Sequence, residues 1–511
     1  MTRAFEARSN DVVSALQVHE LSRVPDPLAL LASLRSQGYP WLLDSAMQDA
    51  RLGRFSFVGA DPYLVLRAWG SEAELDCRRP VRPDLAAGRT ECIADPLELV
   101  RSLLPPPPSS CPAVSVPFVG GAVGYFGYEL ASRIERLSLA APDDLGLPDL
   151  VLLFVDRLVA VDLLEERAFA LGLGFAPDER GAQRNARSAC EAMVRIADSA
   201  PARVYGGDPD LGRPLPEVPD LEGLEGFFRE ESYAEAVRET LAEIGAGNVY
   251  QANLTQRMDL SIPGADPFAV YRELRELNPA PFAAFLELPE AAILSSSPER
   301  FLKLDSLGVV ESRPIKGTRP RGTTREEDRR LEVALRNSEK DRAENLMIVD
   351  LVRNDLGRVC EIGSIEVPDL MEIETYATVF QMVSTVKGRL RSGRDVIDLV
   401  RASFPPGSMT GAPKLAAMKL IDRLEPVRRG IYSGGLGYLD VRGGLELAVV
   451  IRTLILEQER AHLHVGAGIV ADSDPVAEYR ETLDKAQALL IALGRAARPP
   501  READAAVAVS S

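Results

Sequence analysis

Apolar and polar positions along the chain alternate with two different periods, and the period decides the element. Tyr39–Ala46 reads as a strand running into a polar turn, and Arg54–Gly59 alternates with period two, a strand ended by Gly59-Ala-Asp-Pro62. Two more strand-like runs fill 150–164, and Val249–Leu260 reads as a strand carrying Gln251, Asn253 and Gln256. Helical spacing appears at Pro27–Leu34, Arg180–Ile196 and Ser232–Ala246, the last stopped by Gly247. Thr324-Arg-Glu-Glu327 is a capping box opening a helix with Leu331 and Leu335 as its apolar pair, and Lys340–Leu351 predicts a second helix. Phe118–Tyr128 interleaves glycines with aromatics, which suits close-packed strand or bend geometry and matches neither GxGxxG nor a phosphate loop. Residues 201–225 are rich in Pro, Gly, Asp and Glu without periodicity and predict a linker; the Ala-rich tail from Pro499 predicts disorder.

Composition narrows the class. The 511 residues exceed a usual single core, and 46% hydrophobic with 26% charged residues is ordinary globular chemistry. A formal net charge of −17 argues against a nucleic-acid surface, which needs basic patches. Cys77, Cys92, Cys111, Cys190 and Cys360 are scattered and odd in number, so neither a disulfide framework nor a zinc site is indicated. No signal-like or membrane-spanning run is evident, and a reducing cytoplasm is expected. Only His19, His462 and His464 occur, so chemistry in the central region falls to Lys, Glu, Asp, Tyr, Cys or Ser/Thr.

Four stretches carry candidate chemistry. In Ser312-Arg-Pro-Ile-Lys316-Gly-Thr, Pro314 and Gly317 restrict and free the backbone on either side of Lys316, presenting it at the mouth of a sheet. It could be an anion clamp, a Schiff-base former, a desolvated nucleophile or a solvated loop lysine. Glu344 shares a helix face with Ile348 and Leu351, and a carboxylate on an apolar stripe needs a partner: Arg342, Arg353 or a divalent ion. Gly466-Ala467-Gly468 lets backbone N–H groups approach an anion, and Glu478, Glu481 and Lys485 follow on one helix face. Thr410-Gly411-Ala412-Pro413-Lys414 feeds a helix N-terminus suited to a carboxylate or phosphate, and Arg452 interrupts an apolar strand. Oxygen-only ligands favour Mg²⁺ over Zn²⁺, with a small polyanion as ligand.

PIKGTRPRG, SSSPERF (Ser295–Phe301), KDRAENLMIVDLVRNDLGRV (Lys340–Val359), GSMTGAPK, the Arg452 segment, GAGIVADSDP and EYRETLDKA (Glu478–Ala486) together resemble the chorismate-utilising enzymes, densely over 230–490. The resemblance implies an α+β fold, two antiparallel β-sheets packed near-orthogonally with helices outside. It implies an N-terminal region at 1–200, a linker at 201–228, a catalytic domain at 229–495 and a tail at 496–511. Within the family, Lys316 replaces the alanine of PIAGT and marks the branch that aminates chorismate to 4-amino-4-deoxychorismate for p-aminobenzoate and folate synthesis. Gln251 stands where isochorismate synthases have a water-activating lysine. Gln381 stands where anthranilate synthases have a histidine for pyruvate elimination, so anthranilate formation is the alternative it argues against.

By the same resemblance, Glu344 and Glu481 hold Mg²⁺, Glu478 supports the metal face, and Glu299 is acid or base. Arg452, Tyr432, Thr410, Gly411, Ala412, Lys414, Lys485 and the Gly466, Ala467 and Gly468 amides bind the substrate carboxylates. Lys316 is the nucleophile, its amine kept neutral by burial or by a neighbouring cation such as Arg313. Ammonia is expected from a separate glutamine amidotransferase. Leu43 and Ser45, in WLLDSA, mark a possible tryptophan pocket. A non-catalytic chorismate-binding regulator would lack the metal carboxylates, and they are present.

Overall fold

The computed structural model describes residues 12–47, 52–112, 114–203, 215–221, 223–376 and 379–496; the expected linker falls partly, and the expected tail almost wholly, outside them. Two twelve-stranded sheets, antiparallel throughout, make up the frame. The first runs Val13–Glu20, Arg167–Ala176, Arg157–Asp162, Phe55–Gly59, Trp41–Asp44, Phe282–Glu287, Ala292–Ser297, Thr453–Glu457, Arg460–Ile469, Gln251–Ser261 and Glu225–Gly226. Gly411–Ala412 adds to the 251–261 strand. The second runs Ile315–Pro320, Val379–Arg389, Val309–Ser312, Arg300–Leu304, Leu445–Val449, Gly435–Asp440, Gly121–Phe126, Leu150–Val155, Leu64–Trp69, Glu72–Cys77 and Gly88–Ile93. Glu366–Thr375 pairs with the 379–389 strand. The α+β class with two antiparallel sheets is as expected.

The main core lies between the sheets. Phe57 of the first meets Tyr438 of the second at 5.7 Å between ring centroids, and Phe118 stacks on Tyr438 at 4.6 Å and meets Trp41 edge-on at 6.2 Å. The outer face of the first sheet is covered by helices Pro27–Leu34, Glu179–Ser199, Pro267–Leu277 and Pro475–Ala496, which bury Leu30, Met193, Leu274 and Leu489 against Val58, Val159, Phe285 and Leu463. Because that sheet is buried on both faces, strands such as Phe282–Glu287 read as apolar runs rather than alternating ones. Within the Phe118–Tyr128 glycine run, Gly121–Phe126 is a strand, and a Cβ on Gly124 would lie 2.0 Å from the Val151 carbonyl oxygen.

Three of the helices start alike, with Asp26, Asp95 and Asp266 accepting first-turn N–H bonds and proline directly after. The Thr324 cap forms on helix Arg325–Arg336, but Glu327 turns to Thr323 rather than closing the capping box. In each sheet the strands from 1–200 form one contiguous block and those from 229–495 another, joined where Trp41–Asp44 pairs with Phe282–Glu287 and where Gly121–Phe126 pairs with Gly435–Asp440, so both sheets continue across the 201–228 segment.

Candidate active site

Two strands leave one sheet for the other side by side, and the site forms where they cross. Ala292–Ser297 of the first sheet continues through Pro298 and Glu299 into Arg300–Leu304 of the second; Leu445–Val449 returns through 450–452 into Thr453–Glu457. Val449 N–H donates to the Glu299 carbonyl (3.0 Å) and Ser296 N–H to the Arg452 carbonyl (3.0 Å), tying the crossings together. Arg452 therefore lies between strands, with φ +51°, and does not interrupt one as the sequence suggested. Burial pushes Glu299 up to about 7, opposed by the Ser408 hydroxyl, the Lys316 charge and the Ile315 N–H. Burial lowers the pKa of Arg452, and the described residues offer it no carboxylate. A guanidinium in that position calls for an anion from outside. It lines a cavity of about 40 Å³ with Asn278, Ser296 and Gln381, whose buried Oε1 has no partner.

Lys316 is not in a loop. It sits in the edge strand Ile315–Pro320, where the register against the 379–389 strand shifts between Ile315 and Thr318. Gly317 makes this bulge possible at φ +84°, since a Cβ there would lie 2.9 Å from Asp341 and Leu335. The amine donates to the Ser408 carbonyl at 3.1 Å. Burial lowers its pKa; Glu344 opposes that most strongly, and Lys485 reinforces it. Arg313, the cation expected to do so, is bonded instead to Glu374. A Cβ on Gly468 would lie 2.7 Å from Gln251 Nε2, 3.1 Å from Glu344 Oε2 and 3.5 Å from Lys316 Nζ, so the three side chains converge on that bare Cα.

Gly466 and Gly468 lie inside strand Arg460–Ile469, not in a turn after it. The 251–261 strand pairs along its whole length, but Thr453–Glu457 covers only 460–463 of the other edge. Asn253 and Thr255 send their N–H groups away from this ladder, to Thr410 and Glu425. Their cross-strand partners Gly468 and Gly466 accordingly turn their peptide groups to the open edge. There the Gly466 carbonyl accepts Lys485 Nζ at 2.8 Å.

The carboxylates come from two helices, Glu339–Gly357 and Pro475–Ala496. Burial raises the pKa of Glu344, with Lys316 and Lys340 opposing; Arg353 pairs with Asp350 instead of supplying the expected partner. Burial alone would raise Glu481, but Lys485 at 2.7 Å, Lys340 and Lys316 outweigh it and hold the carboxyl low. Glu478 Oε1 accepts from Lys340 (2.8 Å) and Ser473 (2.6 Å), while its buried Oε2 has no partner. Among the described residues no three acidic, His or Cys groups form a ready-made metal cage. Two electrostatically coupled carboxylates and an orphaned third oxygen fit an ion that keeps water and substrate in most of its positions, as Mg²⁺ does.

Lys414 needs correcting. Its three donors go to Asp355 (2.7 Å) and the Ser403 and Pro405 carbonyls (2.8 and 2.9 Å), leaving none for a substrate. The Thr410 hydroxyl turns into its own loop, towards the Pro406 and Gly407 carbonyls, and Gly411 and Ala412 are strand pairs of Ala252 and Gln251. Tyr432 is buried and stacks on His464 at 5.0 Å, a histidine that sequence reasoning had kept away from the chemistry. Ser408 and Lys340 were also missed; Ser408 lay within the GSMTGAPK run, but nothing local shows what a carbonyl will meet. Leu43 and Ser45 line a separate cavity of about 320 Å³ between the sheets, with Phe55, Phe57, Lys303 and Tyr438.

The sequence profile described as chorismate binding enzyme matches residues 44–491. An aminodeoxychorismate synthase of Streptomyces pristinaespiralis is 42% identical over 493 residues, covering 94% of this chain, which spans 65% of that protein's length. Aminodeoxychorismate synthase component 1 of Klebsiella aerogenes is 39% identical over 462 residues, 89% of this chain and 94% of that one. Among solved structures, anthranilate synthase component I from Streptococcus pneumoniae TIGR4 superposes with a TM-score of 0.69 at 30% identity, over 87% of this chain and 94% of that chain. With the match running almost end to end and these relatives alongside it, the chain belongs to the chorismate binding enzyme family.

Proposed function

We propose that this chain aminates chorismate at C4 to give 4-amino-4-deoxychorismate, using ammonia delivered by a partner glutamine amidotransferase. The observation that carries the reading is Lys316: an amine with lowered pKa, aimed by a bulge at the point where Gln251, Glu344 and Gly468 meet. In this reading its neutral amine attacks C2 of the ring, the double bonds shift, and the C4 hydroxyl leaves. Ammonia then adds at C4 and the shift reverses, expelling the lysine from C2. Two allylic displacements replace one difficult substitution.

Glu299, poised near neutrality, gives the departing hydroxyl its proton. Arg452, Tyr432 and the open-edge amides of Gly466 and Gly468 take the carboxylates. Glu344 and Glu481, with Glu478 behind them, would hold Mg²⁺, which when bound neutralises a substrate carboxylate and assists hydroxyl departure. Gln381 lines the Arg452 cavity and has no titrating group with which to drive pyruvate elimination. Two of the relatives carry the name of this activity, which supports the choice of product.

The test is the product formed by the purified chain from chorismate, Mg²⁺ and an ammonium salt, resolved by chromatography with a pyruvate assay in parallel. The expected outcome is 4-amino-4-deoxychorismate without pyruvate, and its loss in Lys316→Ala. Stoichiometric anthranilate and pyruvate would replace this reading with the anthranilate synthase reaction.

A further inference from the structure

We propose that Arg429, which the chemistry above does not use, is the positioning residue that sets the spacing of Lys316 and Glu299; the proposal rests on that reading of the site. Arg429 is 2% exposed and lies between helix Lys414–Leu424 and strand Gly435–Asp440. Its Nε and Nη2 grip both oxygens of Glu425 (2.8 and 2.6 Å). Nη1 donates to the Met409 carbonyl (2.6 Å) and reaches the Ser433 hydroxyl at 3.3 Å; Nη2 also donates to the Asn253 carbonyl (2.6 Å). Asn253 N–H returns to the Thr410 carbonyl (2.8 Å), which closes a ring between the 407–410 turn and the 251–261 strand of the first sheet. Glu425 is anchored in turn by the Thr255 N–H and hydroxyl, at 2.8 and 2.9 Å.

What the ring holds is the backbone next to Ser408. The Ser408 carbonyl accepts from the Lys316 amine and the Ser408 hydroxyl donates to the Glu299 carboxyl, so one residue meets both groups that must act on the same ring. Within the turn the bonds are long: Met409 N–H to Pro406 at 3.1 Å, Thr410 N–H to Gly407 at 3.3 Å. The shorter bonds that fix it come from outside, from the guanidinium to the Met409 carbonyl (2.6 Å) and from the Asn253 N–H, itself held by the guanidinium through its carbonyl, to the Thr410 carbonyl (2.8 Å). An ion pair buried this deeply repays its desolvation poorly as stabilisation, and a rigid planar fork is the group that can fix two carbonyls and a carboxylate at once. A lysine can keep the charge opposite Glu425 but cannot reach all three.

Arg429→Lys is compared with wild type for chorismate kcat and KM with ammonium, and for the pH dependence of kcat/KM. Arg67→Lys serves as the control; that buried arginine, in the remote strand Leu64–Trp69, pairs with Glu290 and Glu74. Arg429→Lys is expected to lower kcat by about 10²-fold, the scale of a small misplacement of reacting groups, and to shift the inflection near 7. KM should stay within about threefold, and Arg67→Lys should lower the Tm while leaving kcat in place. Should Arg429→Lys fail to fold, Glu425→Gln removes the anchor and keeps its shape; kcat should then fall about tenfold with KM held. A folded Arg429→Lys with wild-type kcat overturns the proposal. So does a Glu425→Gln enzyme of full kcat, or a kcat loss that Arg67→Lys reproduces at equal Tm loss. Pyruvate release by the wild type would instead count against the aminating reading, with the kcat and KM comparison still scored on that product. A wild type that consumes no chorismate removes both.

Discussion

Glu299 answers to two opposed demands. Its carboxyl is buried at the sheet crossing and pushed up to about 7, so it is protonated below that pH and ionised above it. As the acid for hydroxyl departure it must hold its proton, and kcat/KM should fall as the pH rises through about 7. Glu299→Gln should abolish that limb along with most of the rate; a limb surviving unchanged in the variant assigns it elsewhere. The same shift acts on stability. The native carboxyl stays neutral while the unfolded one ionises from its ordinary 4.5, so stability falls as the pH rises from there to about 7. The glutamine variant, neutral at every pH, should therefore melt above wild type at pH 8, the difference approaching about 3 kcal/mol. Lys316 itself was legible from its unusual place in PIKGT, because identity is a local property. Its neighbours were not: Lys485 stands beside it where Arg313 was expected, and Lys316 with Lys340 stands beside Glu344 where Arg342 or Arg353 was expected, because which helices face a strand is decided by packing.

At the scale of elements, the site depends on where side chains are missing as much as on where they stand. Gly468→Ala places a methyl 2.7 Å from Gln251 Nε2 and 3.1 Å from Glu344 Oε2, on a strand that has no reason to move. The variant should fold with near wild-type Tm and raise the chorismate KM by about tenfold or more; an unaltered KM would separate this strand edge from substrate binding. Lys414 gives the reverse expectation. Its loss leaves Asp355, already raised by burial, without its cation, so Lys414→Ala should cost about 3 kcal/mol or more in stability. Chorismate KM should hardly change in the protein that remains folded, as calorimetry and steady-state kinetics can check. The Arg54–Gly59 strand and the Pro27–Leu34 helix were readable from sequence, since their signals are local, whereas the Asp-Pro starts at Asp95 and Asp266 open helices that the sequence reading passed over. The Lys316 bulge and the 450–452 crossing were not, because a register shift and a change of sheet exist only relative to partners far along the chain.

For the whole molecule, both sheets are assembled from early and late strands. Trp41–Asp44 pairs with Phe282–Glu287, and Gly121–Phe126 with Gly435–Asp440. Residues 1–203 expressed alone should show no cooperative thermal transition and should regain one on mixing with 215–511. A sharp, independent melt of either piece would reveal an autonomous unit that the shared cores do not suggest. These two seams also set a schedule during synthesis. Leu43 finds its partner Ala284 about 240 residues later, and Gly121 waits longer still for Asp440. At about 5–20 residues per second these two strands remain open-edged for roughly 10–65 s, while the ribosome makes their neighbours. Through that interval the strands that will become sheet centres are unsealed edges, so the nascent chain, rather than the finished enzyme, is where chaperones and aggregation compete for it.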